Sequence, residues 1–396
     1  ASDCTAIGEA QVESNRGVTV VAFAEHRTTS GWTIEPSAMH LPTLTAVDCP
    51  DTWHCQAVGE AGSPLHRRGQ GTSWLAVSAT PPTGAAFTRS LAVSCGDSSH
   101  CLAVGYSQGA SGDAPFAMSW DGSRWTSVPG ATALAPAGMQ ADLYAVSCVA
   151  ATDCIAVGDT FTEEQTDYHA LAARWNGSTW SALTVPASTA ILRGVACSSI
   201  SECTAVGNGA IERWNGSAWR TEGANVAGHL MWLNAITCRN ATDCTAVGID
   251  NNTFPVAIHR SANTWSVQPI QHTKTLAGLW GVSCASSSSC IATGVYDLTD
   301  SDLQGPVAER WNGQHWTLIN PPPPDAGGPG ELTTVSCVAH TQCWAVGGFG
   351  SREMELWNGS AWSKVALPGS GYTLEAVSCL PSQPCVAVGT QALRYG

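Results

Sequence analysis

Residues 145–158 contain two short apolar segments that flank a pair of cysteines, Ala145-Val146-Ser147-Cys148 and Cys154-Ile155-Ala156-Val157-Gly158. Apolar and small residues alternate in both segments, which is typical of β-strands, and the five residues between the cysteines predict a hairpin loop. Further along, residues 174–180 read Arg-Trp-Asn-Gly-Ser-Thr-Trp. Asn and Gly tolerate the positive φ of tight primed hairpin turns, so this stretch predicts a second hairpin.

The same sequence motif recurs along the whole chain of 396 residues. The first cysteine of each Cys-x5-Cys pair follows the previous one by 41 to 53 residues. That period suits one four-stranded propeller blade. The predicted fold is therefore an all-β propeller of four-stranded antiparallel blades, forming a single domain over residues 1–396. Its repeat units start near residues 45, 91, 144, 193, 234, 280, 333 and 375.

Tryptophans follow the repeat and are interpreted as scaffold. Each Trp-Asn-Gly or Trp-Asp-Gly turn is followed by a second tryptophan, and their periodicity favours packing between blades over ligand binding. These second tryptophans are Trp125, Trp180, Trp219, Trp316 and Trp362.

An apolar strand, a short loop, a Val-Gly strand and a Gly turn followed by Trp together resemble the BNR or Asp-box family of β-propellers. That family includes the photosystem-assembly-factor type and secreted actinobacterial relatives. Here Trp-Asn-Gly-Ser-x-Trp stands in place of the Asp-box turn, and the paired cysteines are an addition. Sialidases share the repeat, but their catalytic arginine triad and Tyr/Glu pair have no matching motif in this chain. The resemblance implies the fold and carries no activity with it.

Cysteine spacing predicts one disulfide per blade. Two cysteines on neighbouring strands of a hairpin meet disulfide geometry, whereas structural zinc sites favour Cys-x2-4-Cys spacing with His partners. The expected pairs are Cys49-Cys55, Cys95-Cys101, Cys148-Cys154, Cys197-Cys203, Cys238-Cys244, Cys284-Cys290, Cys337-Cys343 and Cys379-Cys385. Disulfides persist in oxidising compartments, so a secreted, extracellular protein is expected, with any signal peptide already removed before Ala1.

Ring closure leaves alternatives open, because the N-terminus contains an additional second-strand segment, Cys4-Thr5-Ala6-Ile7-Gly8. Eight blades are preferred over nine, with residues 1–44 and 375–396 as partial units that close the ring. Joining the two termini within one blade removes an exposed strand edge. In that arrangement Cys379 pairs either with Cys385 or with Cys4.

Composition excludes several classes of function. The net charge is -14 and only 12% of residues are charged, so the chain lacks the basic patches that nucleic acids require. No apolar stretch is long enough to span a membrane. The sequence contains no P-loop, zincin, nucleophile-elbow or EF-hand motif.

The candidate site lies where the repeat is broken. The position four residues before each first cysteine, predicted at the mouth of the central channel, varies from blade to blade while its neighbours do not. Exposed aromatics stack on sugar rings, and polar groups bind hydroxyls. The predicted ligand-binding residues are Trp280, Tyr144, Tyr296, Arg193, Asn234 and Glu375.

No cofactor is expected, although two acidic loops are candidates for calcium, since carboxylate oxygens are its preferred ligands. Their residues are Asp297, Asp300, Asp302, Glu163, Glu164 and Asp167. A solvated acidic loop is the simpler interpretation of both.

Three functions follow from these features. The preferred one is a secreted lectin-like or adaptor propeller that recognises a glycan, a cell-surface ligand or a protein partner through its variable loops. The alternative is a polysaccharide lyase or glycosidase with Tyr144, Arg193 and Glu375 at the channel mouth. A purely structural scaffold is the third. An enzyme is disfavoured, because one Tyr, Arg and Glu on different blades do not define an acid/base set.

Overall fold

The chain forms eight β-sheets in the computed structural model, which describes residues 4–14, 17–28, 31–35, 44–51, 54–60, 64–68, 74–77, 84–164, 167–186, 190–223, 225–226, 229–252, 254–270, 277–297, 304–323, 330–347, 353–365, 374–380 and 385–388. These residues also include a short 3-10 helix, Ala131–Leu134. No helix in the described residues is long and apolar enough to cross a membrane.

Each sheet is one blade, and in blades 1 to 7 the strands follow one another in chain order across the sheet. Blade 1 contains β4 (Leu44–Asp51), β5 (His54–Gly59), β6 (Leu65–Arg68) and β7 (Trp74–Ala76). Blade 2 contains β8 (Phe87–Asp97), β9 (His100–Gly109), β10 (Gly112–Trp120) and β11 (Trp125–Ser127). Blade 3 contains β12 (Gln140–Ala150), β13 (Asp153–Phe161), β14 (Tyr168–Trp175) and β15 (Trp180–Leu183). Blade 4 contains β16 (Leu192–Ser199), β17 (Glu202–Gly207), β18 (Ala210–Trp214) and β19 (Trp219–Gly223).

The second half of the ring repeats this order. Blade 5 contains β21 (His229–Asn240), β22 (Asp243–Asp250), β23 (Pro255–Ser261) and β24 (Thr264–Val267), with the short β20 (Asn225–Val226) added beside β21. Blade 6 contains β25 (Ala277–Ser286), β26 (Ser289–Asp297), β27 (Gln304–Trp311) and β28 (Trp316–Leu318). Blade 7 contains β29 (Thr334–Ala339), β30 (Gln342–Gly347), β31 (Glu353–Trp357) and β32 (Trp362–Lys364).

Blade 8 joins the two ends of the chain. It consists of β33 (Ala376–Cys379) and β34 (Cys385–Val388), followed by β1 (Cys4–Ser14), β2 (Gly17–Thr28) and β3 (Gly31–Glu35). The innermost, or first, strand of each blade contacts the first strand of the next, and β33 in turn contacts β4. The ring therefore closes with eight blades, not nine, and its first strands surround a central channel.

The composite blade differs in detail from the sequence expectation. Strands β34 and β1 are both copies of the second-strand segment, and they pair in parallel through Thr5↔Val386 and Ala6↔Ala387. Two second strands thus lie side by side, which gives this sheet five strands. Cys379 bonds to Cys385, so the alternative bond from Cys379 to Cys4 is not the one that forms.

Every predicted hairpin pair is a disulfide, and in blades 2 to 8 it joins directly paired residues. Cys148 and Cys154 face each other in the register of β12 and β13, with Cα atoms 4.0 Å apart. The other seven bonds have the same separation in sequence and Cα distances of 3.9–4.2 Å. Each bond holds the loop between the first and second strands of its blade.

The Trp-Asn-Gly turn is not the two-residue primed turn that the sequence predicted. In blade 3, Trp175 pairs directly with Trp180, so the loop has four residues, and only Gly177 has a positive φ, 89°. Asn176 contributes its side chain instead. Its Oδ1 accepts hydrogen bonds from the backbone N–H of Ser178, at 3.0 Å, and of Thr179, at 2.8 Å.

The tryptophans pack between blades. Trp316 is fully buried against Val247 and Ala257 of blade 5, and its Nε1 donates to Gln268 Oε1 at 2.7 Å. Trp180 is the exception, because it is only partly buried at the edge of its cluster. Burial of these large rings across each interface is the main apolar contact that holds neighbouring blades together.

Blade 5 has Arg260 in place of the first tryptophan, since Arg260 pairs with Cys244 in the register where blades 2, 3, 4, 6 and 7 have Trp. Arg260 is 2% exposed, and two of its N–H groups reach the Glu222 carboxylate of blade 4 at 2.9 and 3.1 Å. Trp265 Nε1 donates to the same carboxylate. An ion pair with a buried guanidinium thus holds the interface between blades 4 and 5, whereas blades 2, 3, 4, 6 and 7 each contain a pair of tryptophans.

Candidate functional site

The variable position of the repeat is a β-bulge. In β12 the pairing with β13 shifts between Leu143 and Ala145, so Tyr144 is an additional residue on the first strand. The same shift occurs on five other first strands, where the additional residues are Thr45, Leu91, Arg193, Asn234 and Trp280. The variable ring is therefore a structural feature of the scaffold, and each of these six blades places there one residue that is unpaired in the strand register.

A glycine on the second strand, directly opposite, makes room for this bulge. A Cβ on Gly158 would lie 1.9 Å from the carbonyl oxygen of Asp142 on the first strand. Gly105, Gly207, Gly248 and Gly294 are equally close to the carbonyl oxygen opposite them, at 1.7–2.0 Å. The repeated Val-Gly in the sequence is thus required by the close approach of the bulged strand.

Side chains of the ring bridge consecutive blades. Asn234 Nδ2 donates to the carbonyl oxygen of Leu279 at 2.9 Å, which ties blade 5 to blade 6. Thr333 Oγ1 donates to the carbonyl oxygen of Glu375 at 3.2 Å, which ties blade 7 to blade 8. These contacts place the ring where the first strands meet around the axis. We call this ring, together with the residues two positions earlier on each first strand, the channel mouth.

Two indoles at the channel mouth are exposed. Trp280 is 46% exposed, and its ring lies over the neighbouring backbone, 3.8 Å from where a Cβ on Gly278 would be. Trp232, two residues before Asn234 on the next blade, is 45% exposed. Ten tryptophans of the blade interfaces, by contrast, are at most 8% exposed: Trp120, Trp125, Trp175, Trp214, Trp219, Trp265, Trp311, Trp316, Trp357 and Trp362. Exposed apolar surface of this kind is typical of binding sites.

Blade 3 contributes a polar cluster that the sequence did not reveal. Asp142 pairs directly with Asp159 across β12 and β13, and the Tyr144 hydroxyl donates to Asp142 Oδ2 at 3.4 Å. Arg193 of blade 4 lies over the Tyr144 ring, with its guanidinium carbon 5.2 Å from the ring centre. Asp159 is fully buried, and no hydrogen bond of normal geometry reaches either of its carboxylate oxygens.

Electrostatics in this cluster favour protonated acids. Burial, and then the charges of Asp113 and Asp159, raise the pKa of Asp142 to about 7. Burial raises the pKa of Asp159 to about 6, although the Arg193 charge and the Tyr144 hydroxyl act in the opposite direction. Burial also raises the pKa of Tyr144 above its usual value. Tyr144 is therefore a hydrogen-bond donor and not a base, whereas Asp142 can exchange a proton near neutral pH.

A second acidic pair lies across blades 7 and 8. Glu331 stands two positions before Thr333, and its pKa is raised by burial and by the charge of Glu375. The two carboxylates are thus close enough to repel each other.

The structure brings most of the predicted ligand-binding residues into this one mouth. The Arg193 guanidinium lies over the Tyr144 ring. Asn234 donates a hydrogen bond to the residue before Trp280, and Thr333 donates one to the backbone carbonyl of Glu375. Tyr296 also lies at this end of blade 6, opposite Ala277 on the first strand, but its ring covers Gly305 on the third strand and packs against the interior of the blade. Sequence reasoning missed Asp142, Asp159, Trp232 and Glu331. Asp142, Trp232 and Glu331 each lie two positions before a residue of the variable ring. Their spacing from that ring could have identified them from the sequence.

The calcium candidates are not brought together by the described residues. Glu163 and Glu164 are exposed, and Asp167 lies 3.2 Å from His169. Asp300, Asp302 and the side chain of Asp297 lie outside the described part of the chain. Within that part, no group of three or more His, Cys, Asp or Glu side chains is arranged to hold a metal ion.

A separate concavity of about 440 Å³ lies on blade 5, away from the axis. It is bordered by Phe254 in the loop between β22 and β23, and by residues 267–270 after β24. Its walls are mostly apolar. Phe254 is 43% exposed there, which makes it a useful reference for the exposed indoles of the channel mouth.

No family model matches the chain, and no curated protein matches it. Solved structures do resemble it. A structure described as YCF48 bound to D1 peptide has 13% identity and a TM-score of 0.49, covering 82% of this chain and 92% of its own. YCF48 from Cyanidioschyzon merolae has 13% identity and a TM-score of 0.48, covering 80% and 96%. The β-propeller domain of Cps50 (Swd1) from Myceliophteria thermophila has 9% identity and a TM-score of 0.50, covering 82% and 99%.

At such identities the likeness concerns the fold alone. Together with the closed ring of eight sheets, it defines the chain as a β-propeller with a disulfide in each blade. Propellers are scaffolds for binding and interaction, and the disulfides are suited to an oxidising environment.

Proposed function

We propose that this chain is a secreted binding propeller of the BNR or Asp-box type, which recognises a glycan on a cell surface through the channel mouth. The observation that carries the proposal is Trp280, an indole 46% exposed at a position where the repeat changes from blade to blade. An indole face stacks on the apolar face of a pyranose ring, and nearby polar groups accept or donate hydrogen bonds to its hydroxyls.

Several features of the mouth support a glycan over a purely structural role. Trp232 supplies a second exposed indole on the neighbouring blade. Arg193 and the Tyr144 hydroxyl supply donors, and Asp142 supplies an acceptor. Apolar surface joined to a few directed polar groups is the usual composition of a small-ligand site. Secretion is supported by the eight disulfides, which persist only outside reducing compartments.

A glycan array probed with the parent protein and with two variants tests the proposal. Trp280→Ala is expected to abolish or strongly weaken binding. Phe254→Ala is the matched control, because it removes an exposed aromatic side chain on blade 5 but away from the first strands. Equal loss in both variants, or no binding of any glycan by the parent, would contradict the proposal.

Asp142 supports a second candidate, a lyase or glycosidase at the same mouth, because its pKa of about 7 suits proton transfer at neutral pH. Incubation with any polysaccharide found on the array, followed by analysis of new reducing or unsaturated ends, tests it. Activity that is lost in Asp142→Asn, with binding retained, would establish the enzyme. Binding without turnover leaves the lectin-like function.

A further inference from the structure

The concavity on blade 5 has walls that its own hydrogen bonds hold in place. The backbone N–H of Asp250 donates to the carbonyl oxygen of Phe254 at 2.8 Å. Asp250 Oδ1 accepts hydrogen bonds from the backbone N–H groups of Asn252 and Phe254, both at 2.9 Å. Pro255 and Pro269, whose φ angles are fixed, also line the concavity. Its volume of about 440 Å³ lies within the range of preformed ligand pockets.

Gln268 places a hydrogen-bond donor in this concavity. Its side chain is 5% exposed, and its Oε1 accepts the hydrogen bond from Trp316 Nε1, which fixes the orientation of the amide. No described residue accepts a hydrogen bond from Gln268 Nε2. A blade does not need a glutamine here, because the same position on the scaffold is apolar in four other blades. The residues that donate the equivalent backbone hydrogen bond in blades 1, 2, 6 and 7 are Val77, Val128, Ile319 and Val365.

This donor indicates which ligand the concavity suits. An N–H donor among apolar walls fits a group that offers a carbonyl oxygen and has no N–H of its own to bury. Proline is the residue with a backbone C=O and no backbone N–H. Proline-rich segments bind in aromatic-lined grooves in the polyproline II conformation, which leaves their carbonyl oxygens free and is already ordered before binding. The Phe254 ring, 43% exposed, supplies the aromatic wall.

The chain carries such a segment on the neighbouring blade. Residues 321–324 are four consecutive prolines. The first three, which we call the proline run, follow the fourth strand of blade 6 and form no strand themselves. In the described part of the chain, no hydrogen bond reaches their carbonyl oxygens, and Pro323 is exposed. The run begins two residues after Ile319, which is the blade 6 counterpart of Gln268. The run and the concavity therefore lie at equivalent places on adjacent blades.

We propose that two copies of this chain associate reciprocally, with the proline run of each copy seated in the blade 5 concavity of the other, against Phe254 and Gln268. The contact is isologous, because one twofold axis relates the two run-in-concavity contacts. Each contact alone is smaller than a stable protein interface, so the dimer that the two contacts form together is expected to be weak and reversible. This inference does not depend on glycan binding at the channel mouth.

Sedimentation velocity over a series of protein concentrations tests the dimer. The parent protein is expected to pass from monomer to dimer as its concentration rises. Phe254→Ala is expected to weaken association about tenfold or more, as the loss of a central aromatic anchor does. Gln268→Glu keeps an acceptor for Trp316 and removes the donor, and should also weaken association. Trp280→Ala is the control, since it removes an exposed aromatic side chain at the channel mouth. Thermal melts verify that each variant is folded.

Variants of the proline run give the complementary half of the test. Replacing Pro322 and Pro323 by Ala removes the stiffness of the run and is expected to weaken association as Phe254→Ala does. Pro136→Ala, at an exposed proline in another loop, is the matched control. A mixture of Phe254→Ala with the run variant keeps one intact concavity and one intact run. The mixture is therefore expected to associate more than either variant alone and less than the parent.

Three results would overturn the inference. They are a parent that stays monomeric at every concentration, a dimer that Phe254→Ala and the run variant leave unchanged, and a mixture that associates no better than its components. The glycan array is probed below the concentration at which the parent dimerises, so that Phe254→Ala remains a valid control there. Dimerisation and glycan binding can then fail separately.

Discussion

The two ends of each blade are built on opposite rules. At the end that contains the Cys-x5-Cys hairpin and the Trp-Asn-Gly loop, the same contacts recur in successive blades. Asn312 Oδ1, for example, accepts hydrogen bonds from the backbone N–H groups of Gln314 and His315, as the equivalent asparagines do in their own loops. The contacts between blades recur too, since Ser94 Oγ accepts a hydrogen bond from the backbone N–H of Cys148 in the next blade, and Ser147, Ser283 and Ser336 do the same for the following cysteines. This uniform end therefore repeats its contacts as well as its sequence.

At the channel mouth, the side-chain contacts differ from blade to blade. Tyr144 donates to Asp142 of its own blade and is covered by Arg193 of the next, whereas Asn234 donates to the backbone of the next blade. An end whose contacts recur can be copied unchanged from blade to blade. An end whose contacts are different in each blade can vary at every position, which explains why variation and exposed aromatic surface coincide there.

Reduction of the disulfides, which lie at the uniform end, is expected to have the largest effect on thermal stability. Each bond closes a short loop, and the chain-entropy relation gives roughly 2 kcal/mol for a loop of this size. With eight such bonds, a reductant is expected to lower the Tm far more than any single substitution does. Thermal melts with a reductant and, separately, with a chelator measure this. A fall of similar size with the chelator alone would show that a metal stabilises the fold.

The next largest effect is a difference in unfolding free energy between two tryptophan variants, one at each end. Trp316→Ala removes a fully buried ring and its hydrogen bond to Gln268, and is expected to cost about 3–5 kcal/mol of unfolding free energy. Trp280→Ala removes the same side chain from the exposed mouth and is expected to change stability by at most about 0.5 kcal/mol. Denaturant unfolding of both variants measures the difference. Trp180 is only partly buried, so Trp180→Ala should lose an intermediate amount of unfolding free energy.

If Trp280→Ala destabilises the protein as much as Trp316→Ala does, the channel mouth is part of the interior. The distinction between the two ends would then fail.

A smaller effect tests how the scaffold shapes the mouth. Gly294→Ala would place a Cβ 1.9 Å from the carbonyl oxygen of Gly278, beneath the Trp280 ring. We expect a loss of about 1–3 kcal/mol, because the bulged strand must move to admit the methyl group. Gly278→Ala is the control, since its Cβ meets only the Trp280 ring, at an ordinary contact distance of 3.8 Å. Similar unfolding free energies for the two variants would mean that the bulge is not held by the second-strand glycine.

The repeat revealed most of the fold. Cysteine spacing predicted the disulfides, and the additional copy at residues 4–8 predicted that both termini share a blade. The bulge was missed because period-two alternation was assumed throughout the first strand. Leu143 and Val146 are both buried in one cluster although they are three residues apart, which an unbroken strand does not allow. A leucine three residues before a Val or Ile starts every repeat except that of blade 2, and this spacing could have revealed the bulge.

The site was harder to predict than the fold for a related reason. Asp142 and Asp159 are 17 residues apart in sequence and meet only through the register of β12 and β13. Trp180 was grouped with the tryptophans that pack between blades, although it is only partly buried. Local pattern identifies strands and turns, whereas the channel mouth depends on contacts between blades, which no single repeat contains.

The smallest effect concerns two aspartates with opposite pH behaviour. At the uniform end, hydrogen bonds from the Ser123 hydroxyl and the Arg124 backbone N–H lower the pKa of Asp121 to about 2. At the mouth, burial and neighbouring carboxylates raise the pKa of Asp142 to about 7. The native state therefore holds a proton on Asp142 that the unfolded chain releases near pH 4. Stability must fall as the pH rises from about 4 to about 7 on account of this group.

Asp142→Asn is expected to reduce the loss of unfolding free energy between about pH 4 and about pH 7 by about 1 kcal/mol. This figure allows for partial screening of the charge by solvent. Asp121→Asn is the matched control, since Asn already occupies the equivalent position in blades 3, 4, 6 and 7, and it should leave the profile above pH 4 unchanged. Denaturant unfolding across this pH range measures both variants against the parent protein. The difference from the parent is the informative quantity, because burial also raises the pKa of Glu309 and Glu355 to about 8. A profile that stays as steep in Asp142→Asn as in the parent would show that Asp142 is ionised at neutral pH and that the mouth is more open to water than its burial indicates.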